Sequence, residues 1–453
     1  MSVPGSQRIA VIGGGISGMA EAFYLSARHE VTLFEAAPRL GGHTATVDVT
    51  AGGERHAVDT GFIVFNDWTY PHFTRLLETL GVATQPTEMS FSVHETERDF
   101  EYNGHTPGSL FAQRRNLVSP GFYRLLADIV RFNRRATRDL QAGRLADGMT
   151  LGDYLDRQGY GEAFQRRYLL PMGAAIWSAS LDDLRGFPLA FFVRFFRNHE
   201  LLNLVNRPQW YTVAGGSRAY IPALTAPYAE RIRLNAPVAA VTRDATGVEL
   251  ETHGGRERFD RVVFGCHADQ ALAILGADAT AAEREVLGAM PYQDNEVVLH
   301  TDTRLLPRRR RAWASWNYRL DRRDAGDAVS VTYNMNILQR LHADTTFCVT
   351  LNDSQSIDPT TVLGRFTYAH PRFTLDGQAA QARHDEICGA RTSHGRTHFC
   401  GAYWRNGFHE DGVWSALRVA RKLGCDEPAA PPAPPTAIPA HHLLPDAGPG
   451  DMG

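Results

Sequence analysis

The chain has 453 residues, 43% of them hydrophobic and 21% charged, with a formal net charge of −3 at neutral pH. That is enough for two or three globular domains, and the near-neutral balance argues against nucleic acid as a main partner. Its five cysteines (Cys266, Cys348, Cys388, Cys400, Cys425) are odd in number and lack C-x-x-C spacing, which speaks against a disulfide framework or zinc site and for a reducing cytoplasm.

Residues 9–12 (IAVI) are a short apolar run suited to a strand buried in a parallel sheet. The early start gives the expectation of no signal peptide, and no apolar run is long enough to span a bilayer. Gly13, Gly15 and Gly18 follow as G-x-G-x-x-G. The first permits a sharp turn, the second a close approach to a pyrophosphate, and the third close helix packing. A helix opens with Ile16 and Ser17 and runs through Leu25; residues 31–34 read as the next strand. Glu35 closes that strand about 20 residues after the glycines, placed to accept both hydroxyls of an adenosine ribose. Ala36 follows, and Arg39, Leu40, Gly41 and Gly42 form R-x-G-G, a second turn leading into His43 and Thr44.

Residues 45–49 and 56–58 should pair around Gly52 and Gly53, and Asp59-Thr60-Gly61-Phe62 follows. The spacing predicts a helix over 70–80, with Pro71 in its first turn and Gly81 as its stop, and a second domain from about there. A strand is expected over 87–93, an amphipathic helix over 120–140 with Leu125, Ile129 and Phe132 on one face, and a Thr150-capped helix to 158. The apolar runs 168–178 and 187–204, the second dense in phenylalanine, read either as core or as the wall of a pocket for an oily substrate. Residues 210–224 return to the first domain; 232–241, 248–252 and 259–266 are its strands, with Val238 in the first. Strands at 296–300, 312–318, 330–334 and 347–351 suit an antiparallel sheet in a second excursion. Residues 397–401 form a last strand, Gly401 to Gly412 a glycine-rich turn, and 415–423 a helix. The start of such a helix stabilises negative charge through free N–H groups and its dipole. From 426 onward the chain is a proline-rich tail expected to be disordered.

R-x-G-G at 39–42, D-x-G at 59–61 and the 401–412 turn, added to the dinucleotide motif, resemble the FAD-dependent amine oxidase and phytoene desaturase superfamily. L-G-G-H-T (40–44), D-T-G-F-I-V-F (59–65) and G-F-H-E-D-G (407–412) resemble a bacterial group of predicted FAD/NAD-binding oxidoreductases, for which the resemblance suggests a link to modified membrane fatty acids. The resemblance implies an α/β fold: a Rossmann-like FAD-binding domain from residues 1–70, 211–276 and 385–425, and a discontinuous α+β substrate domain from 71–210 and 277–384. It implies FAD held by Gly13, Gly15, Ile16, Ser17, Gly18, Glu35, Ala36, Arg39, Leu40, Gly41, Gly42, His43, Gly61, Phe62, Val238, Gly401, His409, Glu410, Asp411, Gly412 and Val413, and no metal. Candidate catalytic groups are His43, Tyr368, Trp404 and His409.

Two departures weigh against plain amine oxidation. Amine oxidases usually carry arginine after the double glycine, where this chain has His43. They also usually hold a lysine beside flavin N5, whereas the only lysine here, Lys422, lies well into the last helix, roughly 15 Å from the end that would face the flavin. The expected reaction is hydride abstraction by FAD from an apolar, lipid-like substrate, giving a desaturation or isomerisation. Trp177, Phe191, Phe192, Phe195, Phe196, Trp313 and Trp316 would line its pocket, and residues 187–204 would make a peripheral membrane contact at the inner face. The alternatives are a flavin amine oxidase, a non-redox mutase using the arginines at 308–311 for a diphosphate, and an escort-like binding protein without FAD.

Overall fold

The computed structural model describes residues 5–145, 148–177, 180–198, 201–203, 207–320 and 330–428. The expected tail from 429, and the ends of the 168–178 and 187–204 runs, lie outside them.

A five-stranded parallel sheet organises the cofactor side. Its order is Ile232–Arg233, Glu30–Phe34, Arg8–Ile12, Arg261–Phe264, Thr397–Phe399. Ile9, Ala10 and Val11 are fully buried, as expected for strands covered on both faces. The Ile16–Ser26 helix lies against the His409–Lys422 helix, and their apolar residues share one core. An antiparallel meander, Val238–Arg243, Val248–Thr252 and Gly255–Phe259, completes this side. Residues 232–241, expected as one strand, form two separate ones, because Asn235 adopts a positive φ between them.

The second large sheet has seven strands: Val362–Pro371, Tyr292–His300, Cys348–Leu351, Val331–Asn334, Trp316–Leu320, Phe91–Glu95, Phe100–Asn103. Residues 87–93 divide between two sheets, Thr84–Thr87 joining Val64–Asn66 and Trp210–Val213. The expected 312–318 strand begins only at Trp316, after a single helical turn at Arg310–Ala312. The long strand Val362–Pro371 had no counterpart in the sequence reading. Helices pack on this sheet, with the Pro120–Gln141 and Leu189–Asn198 helices in the same core as Val297, Tyr318 and Val349. Two pieces expected in the substrate domain pack elsewhere. The Pro71–Thr79 helix buries Phe73, Leu76 and Leu77 in the core of the first and last helices, and Val286 and Leu287 join the core beneath Phe264.

Candidate functional site

The site begins where the central parallel strand ends. Gly13 has a φ of 107° and its N–H bonds the Phe34 carbonyl at 2.8 Å; a Cβ there would lie 2.8 Å from the backbone nitrogen of Cys266. A Cβ on Gly18 would sit 1.9 Å from the Gly13 carbonyl oxygen, so the helix can leave the strand only over glycine. Gly15 meets nothing within 4 Å, and no side chain caps the helix that Ile16 starts. Room at the second glycine and an uncapped helix start together suit a pyrophosphate.

The second turn is locked to the first. Gly41 N–H donates to the Gly14 carbonyl at 2.8 Å. The Arg39 guanidinium donates to the carbonyls of Leu40, Gly42 and Thr44 at 3.1 to 3.2 Å, so it fastens this turn. Glu35 accepts from Gly14 N at 2.6 Å and Ala37 N at 2.8 Å, which fixes its carboxylate at the mouth of the first turn, beside exposed Ala36. Val238 packs near Ile12 and Phe34, where the strand Ile232–Arg233 passes.

The D-x-G segment closes over His43. Phe62 N–H donates to the His43 carbonyl at 2.7 Å, and a Cβ on Gly61 would lie 2.1 Å from that oxygen. Asp59 is buried and accepts from Thr46 Oγ1, Ser217 N and Ser217 Oγ; burial nevertheless pushes its carboxyl up to about 6.

The last helix starts six residues earlier than expected. His409, Glu410, Asp411 and Gly412 are its first turn, and Gly407 (φ 91°) makes the bend before it. Asp411 accepts from Phe408 N at 2.9 Å; burial raises its carboxyl to about 7. Gly412 faces the start of the first helix, where a Cβ would lie 2.8 Å from Ser17 Oγ and 2.9 Å from Ile16 Cγ2. Val413 is core. Glu410 points away, accepting from His72 N at 3.3 Å, Phe73 N at 2.9 Å and His72 Nδ1 at 2.6 Å, and so caps the Pro71–Thr79 helix. Gly401 N–H donates to Ser415 Oγ at 2.8 Å, tying the last strand to this helix. Lys422 is the helix's final residue and bonds Asp385 at 2.6 Å, about 20 Å from His409 along the axis.

Between the two sheets stands a group of rings. His43 lies 5.3 Å from Tyr368, 5.1 Å from His370 and 5.9 Å from His267, centroid to centroid. His43 Nε2 is buried without a hydrogen-bond partner. Tyr368 OH is 2.8 Å from Thr60 Oγ1, and Asn295 Nδ2 donates to His370 Nδ1 at 2.9 Å. His409 stacks on Phe62 at 3.6 Å, with Nε2 2.9 Å from Thr44 Oγ1, which in turn bonds Tyr220 OH. Burial drives these imidazoles towards the neutral form: His43 is held well below the usual range, His370 near 4 and His409 near 3. Trp404 packs instead against His384, 4.5 Å away, and Tyr403.

Sequence reasoning passed over Thr44, Tyr220, His267 and His370. The signal for His267 was available: it sits just past the carboxyl end of a parallel strand, where ligands of such sheets bind. His370 lies on the strand whose existence was missed.

Residues 16–310 match the family model described as flavin containing amine oxidoreductase. The chain belongs to that family. Its cofactor is accordingly FAD, and the residues fit it: the open second glycine, and two helix starts meeting at Gly412 and Ser17. AofH of Mycobacterium tuberculosis, named as a flavin-containing monoamine oxidase, is 26% identical over 290 residues, which cover 60% of this chain and 59% of AofH. The chain therefore matches little more than half the length of that relative. Among solved structures, a redesigned putrescine oxidase superposes with a TM-score of 0.66 at 15% identity, covering 92% of this chain and 99% of that one. A CLA-producing fatty acid isomerase from P. acnes gives 0.65 at 17% identity, covering 93% and 99%. Identities this low speak for the fold alone.

The pocket-wall residues divide. Trp177, Phe191, Phe192, Phe195 and Phe196 form one buried cluster, with Trp177 and Phe195 4.6 Å apart. Its edge reaches the start of the last helix: Phe195 stacks on Phe408 at 5.3 Å, and Phe373 approaches both Phe191 and the bend at Gly407. Trp313 and Trp316 stand apart, bonded to the Pro307 carbonyl and packed on Tyr333. Because the phenylalanines of Leu189–Asn198 are buried, that helix offers no apolar face to a membrane. In the 308–311 run, Arg309 pairs with Glu101 and Arg310 covers Trp313, a structural use at the sheet's edge.

Proposed function

We propose that the protein is an FAD-dependent oxidoreductase that removes a hydride from an apolar, lipid-like substrate, in a desaturation or isomerisation. The arrangement that carries the reading is the ring group of His43, Tyr368, His370 and His409 beside the glycine turns, with aromatic side chains along the approach to it. A cavity of about 400 Å³ reaches His370; one part of its wall is apolar, from Trp177, Phe187, Pro371, Phe373 and Leu375, and the rest is polar, with Gln293, Asn295, Arg372 and Thr374. A long acyl group gains about 0.8 kcal/mol for each methylene it buries there. Bound FAD would supply the hydride acceptor. Among the chain's groups, His43 Nε2 is buried and without a partner, which makes it the candidate to receive the proton lost from the neighbouring carbon. Packing on Phe62 and the bond to Thr44 hold His409 in place.

One observation favours the second reading, amine oxidation: Asp182, Asp183 and Asp376 also line the cavity, where carboxylates could receive a cation. Asp183 is already paired with Arg372 at 2.6 Å, which weakens that reading. The test is anaerobic incubation with panels of unsaturated fatty acyl lipids and of mono- and polyamines, read by bleaching of the flavin's visible absorbance for a desaturation and by double-bond position in the recovered lipid for an isomerisation, which returns the hydride and leaves the flavin oxidised. Bleaching by acyl lipids, or a moved double bond in them, supports the first reading. Rapid bleaching by amines with neither would overturn it. The peripheral membrane contact belongs to this proposal, through a surface other than residues 187–204.

A further inference from the structure

The Pro120–Gln141 helix is two-faced. Phe122, Leu125, Ile129, Phe132 and Ala136 are buried. The opposite stripe exposes Arg124, Arg131, Arg134, Arg135 and Arg138, at steps of three, four and seven. The helix's two carboxylates are spent locally, Asp128 on Arg131 at 3.1 Å and Asp139 on Arg144 and Arg135 at 3.2 and 3.8 Å. Arg124, Arg134 and Arg138 have no ion pair among the described residues. A groove of about 890 Å³ runs beside the stripe, lined by Arg131, Arg134, Arg138, Arg144 and Arg157. This is concentrated positive charge on a chain whose net charge is −3.

At the leading end of the same helix the surface turns apolar. Val118 is 82% exposed, and Leu117 and Tyr123 are each 48% exposed; these are three of the six large apolar side chains strongly exposed among the described residues. Tyr123 OH donates to the Leu117 carbonyl at 3.0 Å, which fixes the turn that presents them. A polyanion such as RNA would be met by the arginines but gives no reason for bare valine and leucine beside them. A bilayer satisfies both: phosphates for the guanidinium groups and the boundary of the acyl region for the apolar tips.

We propose that this face, the arginine stripe of Pro120–Gln141 with Leu117, Val118 and Tyr123 at its leading end, docks the protein on an anionic lipid bilayer. It gives a surface to the membrane contact proposed above and rests on that reading. Docking is measured without turnover, so its failure is distinguishable from failure of the lipid chemistry, which the flavin-bleaching assay reads separately. The FAD-loaded full chain is sedimented at low salt with vesicles of phosphatidylcholine alone and of phosphatidylcholine with phosphatidylglycerol. The expected result is sedimentation with the anionic vesicles only. It should fall about tenfold or more for R134E/R138E, and also fall for V118D, whose carboxylate would have to enter the boundary region. All three positions are exposed, and unchanged FAD content verifies folding. No sedimentation, equal sedimentation with both vesicle types, or indifference to the variants overturns the proposal. So does binding to heparin or RNA that R134E/R138E weakens and V118D does not, in the absence of vesicle binding.

Discussion

Glu35 offers a direct measurement of how the adenosine end is held. In Glu35→Ala the N–H groups of Gly14 and Ala37 lose acceptors at 2.6 and 2.8 Å, and on the proposed placement of Glu35 at the adenosine the ribose hydroxyls would lose theirs. Bonds to a charged group contribute about 1.5–3 kcal/mol each, but the mouth of the turn is half-exposed and water can replace part of the loss. A net weakening of about 1–3 kcal/mol follows, roughly a 5- to 140-fold rise in the Kd for FAD. Glu35→Gln should recover little, because its amide nitrogen would face one of two N–H donors. The assay is titration of the apoprotein with FAD by quenching of flavin fluorescence, with FMN as control. FMN lacks the adenosine, so its affinity should be unchanged. An unaltered Kd for FAD, or an equal loss for FMN, would refute the placement of Glu35 at the ribose.

Gly61→Ala should purify without flavin, because its methyl would meet the His43 carbonyl at 2.1 Å; a stoichiometric visible flavin spectrum would contradict this. Acidification should release flavin. The folded pKa of His409 (about 3) and of His370 (about 4) lie below the unfolded value near 6.5, so the unfolded chain binds the extra protons. Stability is then fully present above pH 6.5 and lost as pH falls towards 4, by at most about 1.4 kcal/mol per pH unit per imidazole. His409→Asn should flatten that slope in a pH series of melting temperatures, and an unchanged slope would show that His409 is already charged. Asp411 works in the opposite sense, its carboxyl being raised to about 7, so wild type should lose stability relative to Asp411→Asn between pH 4 and 7; parallel curves would count against it. Lys422→Met should leave reoxidation of photoreduced flavin by oxygen unchanged, since Lys422 ends the helix in a bond to Asp385. A tenfold slowing would place a lysine-dependent oxygen site where the structure shows none among the described residues.

The glycine turns were legible because their constraints are local. A glycine where a Cβ would meet a carbonyl at 1.9 Å leaves a mark in sequence that needs no tertiary information. The start of the last helix was misread because His409, Glu410 and Asp411 look like turn residues. In the fold Asp411 caps its own helix and Glu410 caps another, a use that depends on Phe73 arriving from more than 300 residues away. Val362–Pro371 was missed because its alternation is of half-buried with exposed residues rather than apolar with polar. The phenylalanines of Leu189–Asn198 gave a periodic pattern, which reports a buried face but not what buries it. The histidine group comes from four separated segments, and only spatial proximity makes His267 and His370 neighbours of His43.

The pairing of the Ile16–Ser26 helix with the His409–Lys422 helix has a consequence for biosynthesis. A ribosome delivers the first glycine turn early, yet the surface that covers Met19, Ala20 and Ala22 emerges almost four hundred residues after it. Until then the nascent nucleotide motif has an uncovered flank and half a cradle. Flavin acquisition should thus be a late event, following synthesis of the last helix rather than guiding early folding, and cells starved of riboflavin should accumulate protease-sensitive chains that already contain that helix.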